Sequence, residues 1–373
     1  MITGPSNPEI TQEGSPFARR MKTASIGKIL AFLRAHPVLC LLLLSPGIPE
    51  YLSGSSAISA IIINPAQFLF QLSANLGLYG PGVLLIREAK IRWHKGWGSV
   101  LLMGAAYGIL EEGIALSTLY NPQAPPVGKL GYFGHYLGVN WVWLSGILSV
   151  HMIFSISLPI LLLGLALPEI KNKEFLDSRR KITATFVLLG LDVLALFLIV
   201  LEGEHFWMGW SVFLGSVGAI AILLIISYYV PAGSLGPGRE RAKIGPKIAG
   251  LAGAAFYSSI LFVEFGGIAA GVPAFFVFCG VVLTQCLFLL FILMGIGRAG
   301  NERSLIALSI GLIVPILLFG NISQITSPVI YFVDFTLILF FRKLWLKYSQ
   351  IEPASFQVGG NMTQNPQSEA QLT

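Results

Sequence analysis

Residues 139–168 read VNWVWLSGILSVHMIFSISLPILLLGLALP, thirty positions without a single Asp, Glu, Lys or Arg. About twenty apolar residues are enough to carry a helix across the hydrocarbon core of a bilayer. The run does not alternate polar with apolar, as a barrel strand would. In lipid each backbone amide must find its partner inside its own segment, so such a run reads as a membrane helix. Working outward in both directions, comparable runs fall at about 27–48, 64–86, 97–119, 182–201, 210–230, 248–268, 273–296, 304–320 and 323–341. The sequence therefore predicts an all-α, polytopic transmembrane helical bundle of about ten spans. It would occupy 26–345, between polar, disordered cytoplasmic tails at 1–25 and 346–373.

Composition agrees. The chain has 373 residues, 54% hydrophobic and 11% charged, against about 25% charged in a soluble domain. Too little polar surface exists to coat a globule in water.

The net charge of +6 does not point to nucleic acid, because the basic residues occupy alternate loops. Arg19, Arg20 and Lys22 precede the first run. Arg87, Lys90, Arg92 and Lys95 follow the second, and Lys171, Lys173, Arg179, Arg180 and Lys181 follow the fourth. Arg239, Arg241, Lys243 and Lys247 follow the sixth, Arg298 and Arg303 the eighth, and Arg342, Lys343 and Lys347 the tenth. The intervening loops are almost free of Lys and Arg. The positive-inside rule places the basic loops and both termini in the cytoplasm of a cell (plasma) membrane protein. The first run carries Arg34 and His36, which must snorkel or pack against protein, and it reads as an uncleaved span. The segment 48–67, IPEYLSGSSAISAIIINPAQ, is long for a loop and reads as a re-entrant or interfacial piece on the outer side. Cys40, Cys279 and Cys286 all lie in apolar runs, so no disulfide framework is implied.

Chemistry concentrates in the third and fourth runs. Glu111 and Glu112 are adjacent inside GWGSVLLMGAAYGILEEGIALSTLY. Each carboxylate costs about 2.5–3.5 kcal/mol near a helix centre on insertion scales, so the pair must share a proton, bind a cation or face a wet cavity. Gly104 and Gly108 lie one and two turns earlier, allowing a neighbouring helix to approach the same side. On the next run, His151 shares a face with Asn140 and Ser155. Counted from the outer ends, the acids are roughly 12 Å deep and His151 roughly 18 Å, near enough for their side chains to meet. Two carboxylates and one imidazole could hold zinc with an open position, and the residues are equally compatible with no metal; the cofactor stays unknown. His135 in the connecting loop could reach down as a second imidazole. Asp192 lies mid-span, while Glu264 and Asp334 lie near helix ends, where hydration is cheaper. Arg87 and Glu88 close the second run and are placed to pair at the inner interface.

At EEGIALST (111–118) and VHMIFSIS (150–157) the chain resembles the CPBP intramembrane proteases, the group of the CAAX-processing enzymes. The resemblance implies a glutamate that activates water, an assisting histidine and an Asn that helps hold an oxyanion. Carried over, Glu111 or Glu112 is the base, His151 its partner and Asn140 the oxyanion donor. The match covers about residues 97–160 and departs at several points. Leu116 stands where the family has Arg, Ile147 where it has Phe, and Ser155 where it has Asn or Asp; a second intramembrane His is absent. Over the first 170 residues the chain also resembles a group of prokaryotic multipass membrane proteins with the pattern YGILEEG, GVNWVW and H..FSI..PI, which implies a membrane fold and no particular activity.

Three functions stay open at this level. One is a glutamate-dependent intramembrane hydrolase acting on a membrane-embedded peptide or lipid. The second is a proton- or cation-coupled transporter, and the third is a non-catalytic membrane scaffold. The partner common to all three is the lipid bilayer.

Overall fold

Proline and glycine punctuate the apolar runs, and they set where most helices begin. The computed structural model describes residues 31–32, 34–233, 244–293, 301–324 and 327–349. Helix α1 spans Pro37–Pro46 and continues as a π-helical stretch, Gly47–Leu52. Helix α2 is Pro65–Arg92, opened by Asn64, whose side chain accepts from Gln67 N, with proline at the first helical position where its missing N–H costs nothing. Helix α3 is Trp97–Gly108 and runs into π-helical Ile109–Ala115. Helix α4, Trp141–Ala166, holds a π-helical stretch at Val150–Ser157. Then follow α5 (Arg179–Gly203), α6 (Trp210–Tyr229) and α7 (Pro246–Ala269, π-helical over Phe262–Gly266). Helices α8 (Ala274–Leu293), α9 (Glu302–Ser323) and α10 (Pro328–Ser349) complete the described bundle. The only strands among the described residues are two-residue β1 (His135–Tyr136) and β2 (Val139–Asn140), an antiparallel hairpin in the loop between α3 and α4.

Seven of these helices, α2 and α4 through α9, are long and apolar enough to cross a membrane. Burial separates them. In α4, 61% of the most apolar window is buried inside the protein, whereas in α5 and α6 only 11% is. The exposed side chains of α5 include Phe186, Leu191 and Leu198, an outward face with no place in water. Two apolar cores meet on α4. One joins Leu41, Val83, Met103 and Ile156 from α1–α4. The other joins Phe154 and Leu162 of α4 to Phe256, Ile313 and Phe341 from α7, α9 and α10.

The loops sort by charge in space as well as in sequence. At one end Arg92 pairs with Glu174 (2.5 Å) and Lys95 donates to Tyr228 O, while Lys347 donates to Ala166 O (3.1 Å). At the other end Asn121 donates to Glu204 (2.7 Å), and Gln324 donates to Tyr51 O (3.2 Å) while accepting from Ile58 N (2.9 Å). The expected pairing at the basic end is more elaborate than one ion pair. Glu88 faces Arg87 and Arg92, each at 3.4 Å, and accepts from Phe175 N at 2.6 Å. The Arg87 guanidinium also lies 3.5 Å over the Phe175 ring and donates to Ile170 O.

The first run is divided at Pro37, which starts α1, and the apolar stretch reaches on to Leu52. Arg34 lies in a helical turn before Pro37, 3.4 Å from Glu169, and His36 N donates to Phe32 O at 2.9 Å. The tail expected at 1–25 and all of the one expected at 346–373 except residues 346–349, which belong to α10, lie outside the described residues, as do Arg239, Arg241, Lys243 and Arg298.

Candidate functional site

Helices α3 and α4 touch backbone to backbone because glycine lets them. A Cβ on Gly104 would come within 2.9 Å of Met152 Cα, and one on Gly108 within 3.1 Å of His151 Cβ. This contact brings the end of α3 against the middle of α4. At that level both helices loosen to π-helical pitch, and on α3 Leu116 N donates to Glu111 O at 2.8 Å, five residues back. Such expanded turns give up regular hydrogen bonding and are frequent at functional positions.

The structure brings Glu111, Glu112 and His151 together. His151 Nε2 is 3.1 Å from Glu112 Oε1, and His151 Nδ1 is 3.3 Å from Glu111 Oε2. Ser155 Oγ is also 3.3 Å from Nδ1. Nε2 pairs with Glu112 and Nδ1 with the Ser155 hydroxyl, bonds that a neutral ring can make; a second proton on the ring would pair it with Glu111 Oε2 as well, which otherwise has no hydrogen-bond partner. Glu111 and His151 are each 1% exposed and Glu112 7%. Glu112 Oε2 accepts from the Thr118 hydroxyl, which in turn accepts from Trp143 Nε1 at 3.2 Å. The rings of Tyr79 and Tyr107 flank the imidazole, with centroids 6.1 and 5.8 Å away.

Sequence reasoning missed a third carboxylate. Glu50, on the π-helical end of α1, accepts from the Tyr79 hydroxyl at 2.7 Å and from Ser56 Oγ at 3.0 Å. Tyr79 is also within interaction range of Glu111, so the hydroxyl ties Glu50 to the cluster. The signal was present: Glu50 is the only charged residue between positions 37 and 86. The buried Glu111 and Glu112 and the half-buried Glu50 stand beside a single imidazole, and a dry interior does not tolerate that excess of negative charge unless protons or a cation make up the balance. Atoms of Glu111, Glu112 and His151 lie within 4.8 Å of one another, a set that could hold a metal ion.

Asn140 does not join them. Its side chain caps α4, accepting from Trp143 N (2.9 Å) and donating to Leu130 O (2.7 Å) and Gly131 O (3.3 Å). With its amide committed to the backbone about three turns from His151, it has no donor left for an oxyanion. His135 sits in the β1–β2 hairpin, outside the cluster. Glu264 departs from its expected place at a hydrated helix end. It is 5% exposed, on the π-helical stretch of α7, against Gly146 of α4. Asp192 packs against Gly77 of α2, and Asp334 accepts from Asn321 at 2.8 Å.

Comparison with protein-family models, curated proteins and solved structures returns no match to this chain. The functional reading therefore rests on the residues and their geometry.

Proposed function

We propose that this protein is a multipass membrane hydrolase in which Glu112 and His151 activate water against a membrane-embedded peptide or lipid substrate. The observation that carries the proposal is the imidazole of His151 held between Glu111 and Glu112 on two π-helical stretches. Glu112 is the better base, being the less buried acid of the pair and lying nearer the loop above. Its carboxylate takes a proton from water as the oxygen bonds to the substrate carbonyl. The imidazolium then offers an N–H to the oxyanion, the part that Asn140 cannot take. As the scissile bond breaks, the proton on Glu112 passes to the leaving group. Zinc, if held by Glu111, Glu112 and a neutral His151, would supply Lewis acidity in place of the imidazolium and lower the cost of forming hydroxide. Resemblance to the CPBP proteases at residues 111–118 and 150–157 points the same way.

Ten membrane passes, with the basic loops and both termini in the cytoplasm of a cell membrane, complete the proposal. The support is the segregation of charge to one end of the bundle. The centre then opens outward, on the side opposite to cytosolic prenylated substrates, and nucleic acid is no partner. The test is cleavage of membrane-embedded reporter peptides by purified, reconstituted protein. Glu112→Gln and His151→Ala should each abolish turnover while the protein stays folded; unchanged cleavage by both ends the proposal.

A proton- or cation-coupled carrier is the second reading. It is favoured by the run of titratable groups Glu50, Tyr79, Glu111, His151 and Glu112, ended by the hydroxyls of Ser56 and Thr118. Carriers gather ionisable groups near the midplane in this way. Proton-driven flux in proteoliposomes that persists in a Glu111→Gln/Glu112→Gln double variant would exclude it.

A further inference from the structure

On the face of α4 turned away from the glutamates lies a cavity of about 530 Å³, walled by Leu101, Met152, Ile153, Phe256, Phe288 and Leu312 among others. Its size falls in the range of about 300–1,000 Å³ typical of small-molecule sites. Its lining is almost entirely apolar, with Gln285, Ser149 and Ser157 the main polar exceptions. Gln285 is already engaged, donating to Ser145 O and to Ser149 Oγ (2.8 Å).

A second cavity of about 370 Å³ adjoins it towards the basic end, and the two share Trp97, Leu161 and Leu305 as walls. This one differs in chemistry. Arg87, Lys90 and Lys171 line it, with Glu302 as the opposing acid. Arg87 is engaged with Glu88, but neither Lys90 nor Lys171 has a carboxylate partner among the described residues. Lys90 Nζ instead sits 5.5 Å from the Trp97 ring, on the wall common to both cavities.

An oily chamber beside an under-neutralised cationic one, with Trp97, Leu161 and Leu305 as their common wall, matches one class of molecule. We propose that the two cavities together bind one anionic phospholipid, with an acyl chain in the apolar chamber and its phosphate at Lys90 and Lys171. Basic pockets between membrane helices on the cytoplasmic side take lipid phosphates in the same way. The site stands independently of the Glu–His centre, which lies on the other face of α4.

The experiment uses purified full-length protein in detergent, titrated with phosphatidylglycerol and with phosphatidylcholine of the same chains, bound lipid being counted by native mass spectrometry. One phosphatidylglycerol should bind per chain, on the order of tenfold more tightly than phosphatidylcholine. Lys90→Gln/Lys171→Gln should erase that preference and leave the residual phosphatidylcholine binding. Ile153→Trp, which fills the chamber, should weaken both lipids; its folding is checked by its unfolding temperature and elution volume. Equal binding of the two lipids, or an unchanged preference in the double Lys variant, overturns the proposal. So does competition by glycerol phosphate as strong as that by the intact lipid, which would make the site one for free phosphate.

Discussion

His151 Nε2 lies 3.1 Å from Glu112 Oε1, a contact that joins the centre of α4 to the end of α3. Both groups are buried, so each depends on the other. Removing only the imidazole strands two carboxylates, and breaking a buried pair in this way costs about 3–5 kcal/mol. His151→Ala should therefore lower the midpoint of chemical unfolding in detergent. Glu112→Gln, which keeps an amide in hydrogen-bonding range, should cost much less stability and still stop turnover. A stable His151→Ala protein would show that the cluster is not charged as proposed.

The close approach of α3 to α4 makes its own demand. A methyl at Gly104 meets the backbone at Met152, which cannot turn aside as a side-chain tip can. Gly104→Ala should force the helices apart, at about 1–3 kcal/mol for overpacking. Gly218, with open space around its Cβ position, serves as control: Gly218→Ala should be neutral or slightly stabilising.

Much of this arrangement is legible in the sequence, for definable reasons. Apolar runs separated by basic loops locate the helices because lipid imposes both features. The meeting of the Glu pair with His151 follows from depths within side-chain reach on consecutive antiparallel helices, with Gly104 and Gly108 to let them touch. Glu50 escaped because IPEYL falls in the segment that reads as re-entrant or interfacial, Pro and Gly masking the helical continuation of α1. The π-helical turns are invisible to hydrophobic periodicity, since a single turn of five residues barely shifts the pattern. Asn140 was misplaced by analogy, although an Asn immediately before an apolar helical run is itself a capping signal.

That cap can be tested directly. Asn140→Ala removes an N-cap acceptor, worth about 0.5–2 kcal/mol, and two donors to the loop carbonyls. Asn140→Asp keeps the acceptor and loses the donors, so it should recover part of the stability. If hydrolysis is found, both variants should retain the wild-type pH profile per folded molecule. Turnover lost in a fully stable Asn140→Ala protein would return this residue to the chemistry.

Outside the membrane-spanning segments, the hairpin carrying His135 supplies a dependence on pH. Burial holds the His135 imidazole below its ordinary value of 6.5, so protons favour the unfolded loop. The sign follows: the contribution is fully present above the unfolded value and is lost as pH falls through the lower, folded one. Amide exchange in β1 and β2 should accelerate on acidification below neutrality, beyond the change in α5 measured in the same sample. His135→Gln, which keeps a polar ring-sized group without a titrating nitrogen, should remove that excess while leaving exchange at neutral pH close to wild type. An excess that survives the substitution would place the titrating group elsewhere, and the acids of the Glu50–Glu111–Glu112 cluster would be the next to replace.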